Sequence, residues 1–171
     1  MEAAARAFAP QDEIRLRRVE DRDSQDLFGL LSLCFAEYPG CFVDPHDDLK
    51  DLRAPAAAIA LRGGVFWVLE DRGGRICACA SVDFPETATA ELHRLYVRPD
   101  FRRRGLGARL VGLVEDHARA RQAARVVFWS DTRFTDAHRL YERLGYRRVG
   151  PTRDLGDLSN SVEYRFEKMM S

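Results

Sequence analysis

The spacing of apolar residues changes repeatedly along this chain, and each change marks an expected element of secondary structure. Residues 14–19 alternate apolar and basic side chains, which predicts an edge strand. From Leu27 to Phe35 the apolar residues recur at helical spacing, with Asp23 or Ser24 as the N-terminal cap. The chain therefore begins with a strand followed by a helix.

A second short helix and a β-hairpin are expected next. Asp44 is a suitable cap and Pro45 suits the first helical position, so the helix should run to about Leu52. An alanine-rich connection follows it. Two apolar runs, residues 65–70 and 75–82, flank a turn that contains two glycines, and this arrangement predicts a hairpin.

The second half of the chain predicts further strands and helices packed into one domain. After a connection at residues 84–86, we expect strands over residues 90–97, 125–130, 146–149 and 162–166, and helices over about 108–121 and 135–144. Gly145 suits the left-handed residue that ends the last helix. Helices packed on a mixed sheet make a single α/β domain the expected fold.

Composition adds limits on size and partners. The 171 residues suit one domain, which we expect to span residues 13–171 after a loosely held tail over residues 1–12. Basic and acidic residues number 27 each, so no overall charge favours nucleic acid or a membrane as partner. No apolar run reaches the roughly 20 residues of a membrane span, and the N-terminus is a poor signal peptide. We therefore expect a cytoplasmic protein.

The four cysteines do not predict a metal site. Cys34, Cys41, Cys77 and Cys79 lack the paired spacing of zinc ligands. Cys77 and Cys79 are two positions apart in an expected strand, which places both on one face and predicts core packing for them. We therefore expect no metal.

The clearest sign of chemistry is a basic loop with two glycines, residues 102–107, between an expected strand and an expected helix. Free backbone N–H groups and the helix dipole at such a junction favour a phosphate. Leu110 stands where a dinucleotide-binding motif has its third glycine, and no lysine completes a nucleoside-triphosphate loop. A solvated strand-to-helix turn is the alternative interpretation.

Two motifs make the chain resemble a known family. Arg102, Gly105 and Gly107 match R-x-x-G-x-G, the acyl-CoA loop of the GNAT superfamily of N-acyltransferases. Residues 137–146 match that family's second signature, A-x-x-L-Y-x-x-x-G-[FY]. The resemblance covers roughly residues 13–171. It implies an α/β fold with a mixed, mostly antiparallel sheet of six to seven strands, splayed central strands and about four flanking helices.

The resemblance also implies where acetyl-CoA binds. Backbone N–H groups of the loop would hold its pyrophosphate, and the strand edge at residues 95–97 would pair with its pantetheine arm. The central strands, residues 90–97 and 125–130, would separate there to admit the arm. The implied cofactor-binding residues are Leu95, Tyr96, Val97, Arg102, Arg103, Arg104, Gly105, Leu106, Gly107 and Ala108.

Tyr141 occupies the position of the family's general acid, which protonates the departing thiolate. A phenol with a pKa of about 10 stays protonated at neutral pH and can donate to a thiolate. The alternative is a tyrosine that only packs on an amphipathic helix. Phe134 departs from the family, which often has a cofactor-contacting asparagine at this position; Ser130 or Thr132 is a candidate replacement.

A base is expected as well, because the attacking amine must lose a proton. Glu91 precedes Arg102 at the spacing at which some family members place a glutamate base. His93 faces the same side of the strand and titrates near neutral pH. Asp131 is a third candidate. A solvated charge at Glu91 and a half-buried structural His93 are the alternatives.

The implied reaction is transfer of an acetyl group from acetyl-CoA to a primary amine by direct attack in a ternary complex. The acceptor is a small molecule or a peptide, and the carboxylates in the segments expected to line its site, Asp44, Asp47, Asp48, Asp154 and Asp157, suit a cationic amine. These carboxylates also suit helix capping and solvation. A catalytically silent acyl-CoA-binding sensor or scaffold is the alternative function. The acceptor, the acyl-chain preference and the choice between monomer and homodimer stay open.

Overall fold

A computed structural model describes residues 13–47 and 49–171 of the chain. The tail expected over residues 1–12 lies outside the described residues, as does Asp48. Within them, one mixed sheet carries helices on both faces. No helix in this part of the chain combines the length and the apolar character needed to cross a membrane.

Four α-helices lie among eight strands in the described part of the chain. The strands are β1 (Arg15–Arg18), β2 (Val65–Glu70), β3 (Ile76–Glu86), β4 (Thr89–Val97), β5 (Arg125–Asp131), β6 (Arg147–Arg148), β7 (Arg153–Asp154) and β8 (Val162–Met169). The α-helices are α1 (Ser24–Phe35), α2 (Pro55–Leu61), α3 (Leu106–Ala120) and α4 (Thr135–Arg143). Short 3-10 turns cover Asp21–Asp23, Lys50–Arg53 and Pro99–Phe101.

The sheet is mixed and mostly antiparallel, as the sequence predicted. Its spatial order is β1-β2-β3-β4-β5-β8-β6, with β7 also paired to β8. Every pair is antiparallel except β4 with β5. Three details differ from expectation. The strand predicted at residues 146–149 shrinks to β6, and β7 lies in a segment for which no strand was predicted. The expected connection at residues 84–86 instead continues β3.

The two central strands separate after a short contact. Residues 89–91 of β4 pair with residues 125–127 of β5, and beyond them β4 stays with β3 while β5 stays with β8. An extra residue in β4 adds twist there, since Cys79 pairs with Tyr96 whereas Ser81 pairs with His93. Arg94, inside this bulge, has a φ of +54°. The predicted gap between the central strands is present and opens at Glu91.

Two apolar clusters cover the two faces of the sheet. The cluster facing α3 and α4 includes Leu110, Tyr141 and Phe166. The cluster facing α1 includes Leu27 and Leu52. The site described below lies where the sheet opens between these two layers.

Cys77 and Cys79 do not share a face, contrary to the prediction. Cys77 belongs to the cluster facing α3, whereas Cys79 belongs to the cluster facing α1. The register with β2 shifts between Leu69 and Glu70, which leaves Cys77 as an extra residue and interrupts the alternation of faces. Both thiols are free and buried, so core packing is confirmed for both.

The second helix lies later in the chain than predicted. The segment after Asp44 forms a turn, in which the Asp44 carboxylate accepts a hydrogen bond from the backbone N–H of His46 at 2.9 Å. The 3-10 turn Lys50–Arg53 follows it. An aspartate that bonds two residues ahead forms a local turn equally well, so a capping residue alone did not determine a helix.

The alanine-rich segment predicted as a connection forms α2 instead. Alanine has the highest helix propensity, and Pro55 occupies the first helical position. The carboxylate of Asp21, distant in sequence, accepts the N–H groups of Ala56 and Ala57 at 2.8 and 3.0 Å. The cap of α2 thus comes from another segment, which the local sequence could not reveal.

Candidate active site

The glycine loop ends in an exposed helix N-terminus. Gly105 precedes α3 with a φ of +75°, a left-handed conformation that glycine adopts readily. The backbone N–H of Arg109 bonds the carbonyl of Gly105, so the N–H groups of residues 106–108 are not used inside the helix. No described side chain caps this end. Free N–H groups and the helix dipole together can hold a phosphate.

Gly107 serves a different purpose, the close approach of α4. A Cβ atom at this position would lie 2.9 Å from Cδ2 of Leu140. Leu140 belongs to the second motif and directly precedes Tyr141. The two motifs therefore contact each other, and the second glycine of the loop sets the distance between α3 and α4.

The three arginines of the loop have different surroundings. Nε of Arg102 donates to the carbonyl of Val97 at 3.1 Å, and its guanidinium pairs with Glu37 beyond α1. The guanidinium of Arg104 lies over the ring of Phe101, 4.7 Å from its centroid. Arg103 is exposed, with a φ of +60°. The charge of Arg102 is thus paired with a carboxylate of this chain.

A cavity of about 420 Å³, which we call the loop cavity, lies between the start of α3, the free end of β4 and α4. All residues of the predicted cofactor-binding set line it except Arg104. Arg139 and Arg143 line it from α4, and the sequence analysis missed them. Their spacing of four residues, which places both on one helix face, was the available signal.

A second cavity of about 190 Å³, which we call the acidic cavity, opens on the other side of Tyr141. Its lining contains the carboxylates of Asp44, Asp47, Glu91, Asp131, Asp157 and Glu163. Leu95, Tyr96, Phe134 and Tyr141 line both cavities. The acidic cavity and the loop cavity are therefore neighbours that share a wall.

Tyr141 is 5 % exposed and sits in that shared wall. Burial raises the pKa of Tyr141, and the nearby Ser130 hydroxyl offsets this by a smaller amount. The phenol consequently stays protonated at neutral pH. Such a group can donate a proton to a strong base formed on either side of it.

Glu91 and His93 lie together on the face of β4 that borders the acidic cavity. Nε2 of His93 is 3.9 Å from Oε2 of Glu91 and only 3.2 Å from Oδ1 of Asp83, which lies on β3 opposite Glu91. The sequence analysis missed Asp83. The signal was the hairpin register, which places polar residues of the two strands on the same face.

These three side chains are also the group of possible metal ligands found among the described residues, with their donor atoms within 4.8 Å of one another. The shortest contact in the group has the geometry of an ordinary hydrogen bond between His93 and Asp83. That bond accounts for the arrangement without a metal ion.

Asp131 borders the same cavity but is already engaged by a neighbour. Its carboxylate accepts bonds from Nε and Nη2 of Arg133 at 2.9 and 2.6 Å, and from the Arg133 backbone N–H at 2.9 Å. Burial alone would raise the pKa of Asp131, but these bonds outweigh it and leave the pKa below its usual value. This carboxylate is a poor proton acceptor near neutral pH.

Phe134 separates the two cavities in place of the family's asparagine. Its ring lies 4.8 Å from the ring of Tyr38, centroid to centroid, and forms an apolar wall. Ser130, a candidate replacement, lines the acidic cavity only, where its hydroxyl is 3.1 Å from Nε2 of the buried His138. An aromatic contact therefore stands where the family often has a polar one.

A family model described as the acetyltransferase (GNAT) family matches residues 25–146, more than half of the chain. The chain belongs to the GNAT family. GNAT acetyltransferases use acetyl-CoA, and the loop cavity, with the N-terminus of α3 in its lining and the edge of β4 that has left β5 at its side, fits such a ligand.

Solved GNAT structures share this fold. An acetyltransferase of the GNAT family from Staphylococcus aureus Mu50 is 17% identical, with a TM-score of 0.79, over 92% of this chain and 99% of the other. A putative acetyltransferase from Salmonella typhimurium, solved with its cofactor acetyl-CoA, is 18% identical with a TM-score of 0.70, over 93% and 95%.

A third GNAT structure, the ribosomal-protein-S18-alanine N-acetyltransferase from Escherichia coli, is 19% identical with a TM-score of 0.69, over 92% of this chain and 94% of the other. A search of curated protein sequences gave no match. At these identities the structures establish the GNAT fold, and the substrate has to be argued from the residues of this chain.

Proposed function

We propose that this GNAT protein transfers an acetyl group from acetyl-CoA to a primary amine by direct attack in a ternary complex. The observation that carries the proposal is the position of Tyr141 in the wall shared by the loop cavity and the acidic cavity. A side chain at that point can reach a donor on one side and an acceptor on the other.

The loop cavity would hold the donor. Backbone N–H groups of residues 106–108 and the exposed Arg103 would bind its pyrophosphate, and residues 95–97 would pair with its pantetheine arm. Bound there, acetyl-CoA supplies the acetyl group as a thioester. Arg139 and Arg143 add positive charge at the same cavity.

Tyr141 acts as the general acid in this proposal. It gives its phenolic proton to the sulfur as the carbon–sulfur bond breaks, which avoids release of a free thiolate. Because burial raises its pKa, the phenol is in the protonated form that this role requires. The resulting phenolate then regains a proton from solvent. An amine that binds as an ammonium ion first loses one proton to solvent, which frees the lone pair for attack, and a catalytic base takes the second proton.

Glu91 and His93 supply the base. One of them takes the proton from the amine nitrogen as the new nitrogen–carbon bond forms. Their support is geometric, because both border the acidic cavity at the point where β4 leaves β5. Asp131 is held by Arg133 and is not assigned this role.

The acidic cavity suits a cationic amine. Arginine ion pairs neutralise two of its carboxylates, Asp131 and Glu163. No described lysine or arginine forms an ion pair with Asp44, Asp47 or Asp157 of the same lining. Negative charge therefore remains at the entrance, where it attracts a protonated amine. One of the similar solved structures is named as an N-acetyltransferase for an alanine of ribosomal protein S18, so its acceptor is also an amine.

Two measurements test the proposal in sequence. Acetyl-CoA should raise the melting temperature of the purified chain, with coenzyme A and adenosine diphosphate as comparison ligands. A thiol-release assay over a panel of amines should then detect transfer above the rate without protein. Binding without turnover on any amine would favour the silent acyl-CoA-binding module, and no stabilisation by acetyl-CoA would contradict both functions.

A further inference from the structure

The contact between His93 and Asp83 distinguishes between the two candidate bases, Glu91 and His93. The two residues lie on adjacent antiparallel strands and point to the same face of the sheet. Nε2 of His93 is 3.2 Å from Oδ1 of Asp83, a hydrogen-bonding distance, and 3.9 Å from Oε2 of Glu91, which is too long for one. Asp83 is thus the hydrogen-bond partner of the ring.

The backbone holds this pair firmly. Asp83 is 7 % exposed, and Gly64 passes so close that a Cβ atom there would lie 3.1 Å from the Asp83 Cβ. The hydroxyl of Ser81, which lies on β3 like Asp83, donates to the backbone carbonyl of His93 on β4 at 3.3 Å. Arg62 reaches Oδ2 of Asp83 at 3.7 Å, which leaves Oδ1 of that carboxylate for the histidine.

The hydrogen bond to Asp83 determines which ring nitrogen of His93 carries the hydrogen. An ionised carboxylate can only accept hydrogen bonds, so the contact requires that Nε2 carries the hydrogen. In a neutral imidazole the other nitrogen, Nδ1, then has the free lone pair. His93 lines the acidic cavity, where the acceptor amine is proposed to bind.

We propose that Asp83 is a positioning residue that holds His93 in its Nε2–H form, so that Nδ1 of His93 is the base that removes the proton from the acceptor amine. This inference rests on the proposed function. The amine proton moves to Nδ1 as the nitrogen–carbon bond forms, and the departing sulfur takes its proton from Tyr141. Glu91 adds a second negative charge that stabilises the imidazolium without receiving the proton itself.

The other charged groups near the acidic cavity either form ion pairs with other residues or lie on elements other than β3 and β4. Arg94 pairs with Asp51, Arg133 with Asp131, and Arg153 with Glu163. Asp44, Asp47 and Asp157 complete the charged lining. Asp83 and Glu91 are the described carboxylates within 4.0 Å of Nε2 of His93, so they dominate its local electrostatics.

Nitrogen-15 NMR tests the tautomer directly, without any acetyl transfer. The ring signals of His93, identified among the four histidines by their loss in His93→Gln, should show a protonated Nε2 and an unprotonated Nδ1. In Asp83→Asn the two tautomers should become mixed or reversed, because the asparagine amide can also donate. A wild-type His93 with the hydrogen on Nδ1 would overturn the inference.

Kinetics with putrescine as acceptor test the base. Asp83→Asn should lower kcat on the order of 10²-fold, close to the loss in His93→Gln, with KM for acetyl-CoA within about twofold. Asp83→Glu, which can restore the carboxylate, should recover part of the rate.

Glu91→Gln is the matched comparison, since it removes the other carboxylate beside the same ring. This variant should keep the hydrogen on Nε2 of His93, and its kcat should fall less than that of Asp83→Asn. If instead Glu91→Gln abolishes transfer while Asp83→Asn and His93→Gln stay within about twofold of wild type, Glu91 is the base. A wild type that shows the hydrogen on Nε2 of His93 and still acetylates no amine would contradict the proposed function. The contact by which Asp83 orients His93 would remain supported by that result.

Discussion

Tyr141 combines burial with access to both cavities. Its ring packs against those of Phe128 and Phe166, with centroids 4.5 and 5.3 Å away, while the residue still borders the loop cavity and the acidic cavity. Such packing fixes the direction of the ring and therefore of its hydroxyl. The packing of this tyrosine is therefore compatible with its proposed catalytic role.

Tyr141→Phe is expected to lower kcat by about 10²–10⁴-fold, because it removes the proposed acid while it keeps the ring. The KM for acetyl-CoA should change little, since the loop and the strand edge remain. Steady-state thiol release gives both values. Tyr164→Phe, outside both cavities, is the control and should keep wild-type turnover. Unchanged turnover in Tyr141→Phe would remove this residue from the mechanism.

At the level of elements, the contact between α3 and α4 depends on one glycine. Gly107→Ala would bring a Cβ to 2.9 Å from Leu140 Cδ2, so Leu140 must move within the wall of the loop cavity. We expect weaker acetyl-CoA binding, on the order of tenfold, measured by calorimetry. Gly112→Ala, in the same helix with open space around it, should bind normally and gain about 0.5–1 kcal/mol of stability. Equal binding in both variants would contradict this account.

The helix α2 depends on a cap supplied by a distant segment. Asp21→Ala removes the acceptor of the Ala56 and Ala57 N–H groups and should lower the free energy of unfolding by about 0.5–2 kcal/mol in urea. Asp116→Ala, which removes only an exposed ion pair on α3, should cost less than about 1 kcal/mol. A loss in Asp21→Ala no larger than in this control would show that the cap is unimportant.

The molecule as a whole has equal numbers of basic and acidic residues, but carboxylates are in local excess at the acidic cavity. We expect putrescine, which keeps a second positive charge, to have a kcat/KM on the order of tenfold higher than butylamine. Asp47→Asn should reduce that preference, whereas Asp116→Asn should not. Equal rates for the two amines at low ionic strength would contradict an electrostatic acceptor site.

Two partly or fully buried histidines should make stability depend on pH. Burial lowers the pKa of His138 and of His117 below the unfolded value of about 6.5. Between the folded pKa values and the unfolded value, the unfolded chain binds more protons than the folded chain. The stabilisation contributed by these two neutral histidines is therefore complete above the unfolded pKa and is lost as pH falls through their folded pKa values. Urea unfolding at about pH 7.5 and about pH 5.5 measures the effect.

His138→Phe should flatten the pH dependence of unfolding, because the variant lacks one of the two titrating groups. His46→Gln, at an exposed position, should leave it unchanged. A stability that does not fall between these two pH values in the wild type would contradict the burial argument.

Local patterns were sufficient for most elements. Alternation predicted β1, two apolar runs around a glycine turn predicted the hairpin strands, and helical spacing predicted α1 and α4. The glycine loop predicted a helix start close to that of α3. These features depend on residues near one another in the chain, so the sequence contains their causes. The same holds for the family, because its two motifs are short and continuous.

Tertiary structure decided what depends on residues that are distant in sequence. Asp21 capped α2, a register shift turned Cys77 away from Cys79, and the pairing of β3 with β4 brought Asp83 to His93. None of these follows from spacing, because each needs the relative position of two segments. The sequence by itself determined the family, the sheet with its helices and the loop; the partners of the site's side chains were decided only when the strands and helices packed.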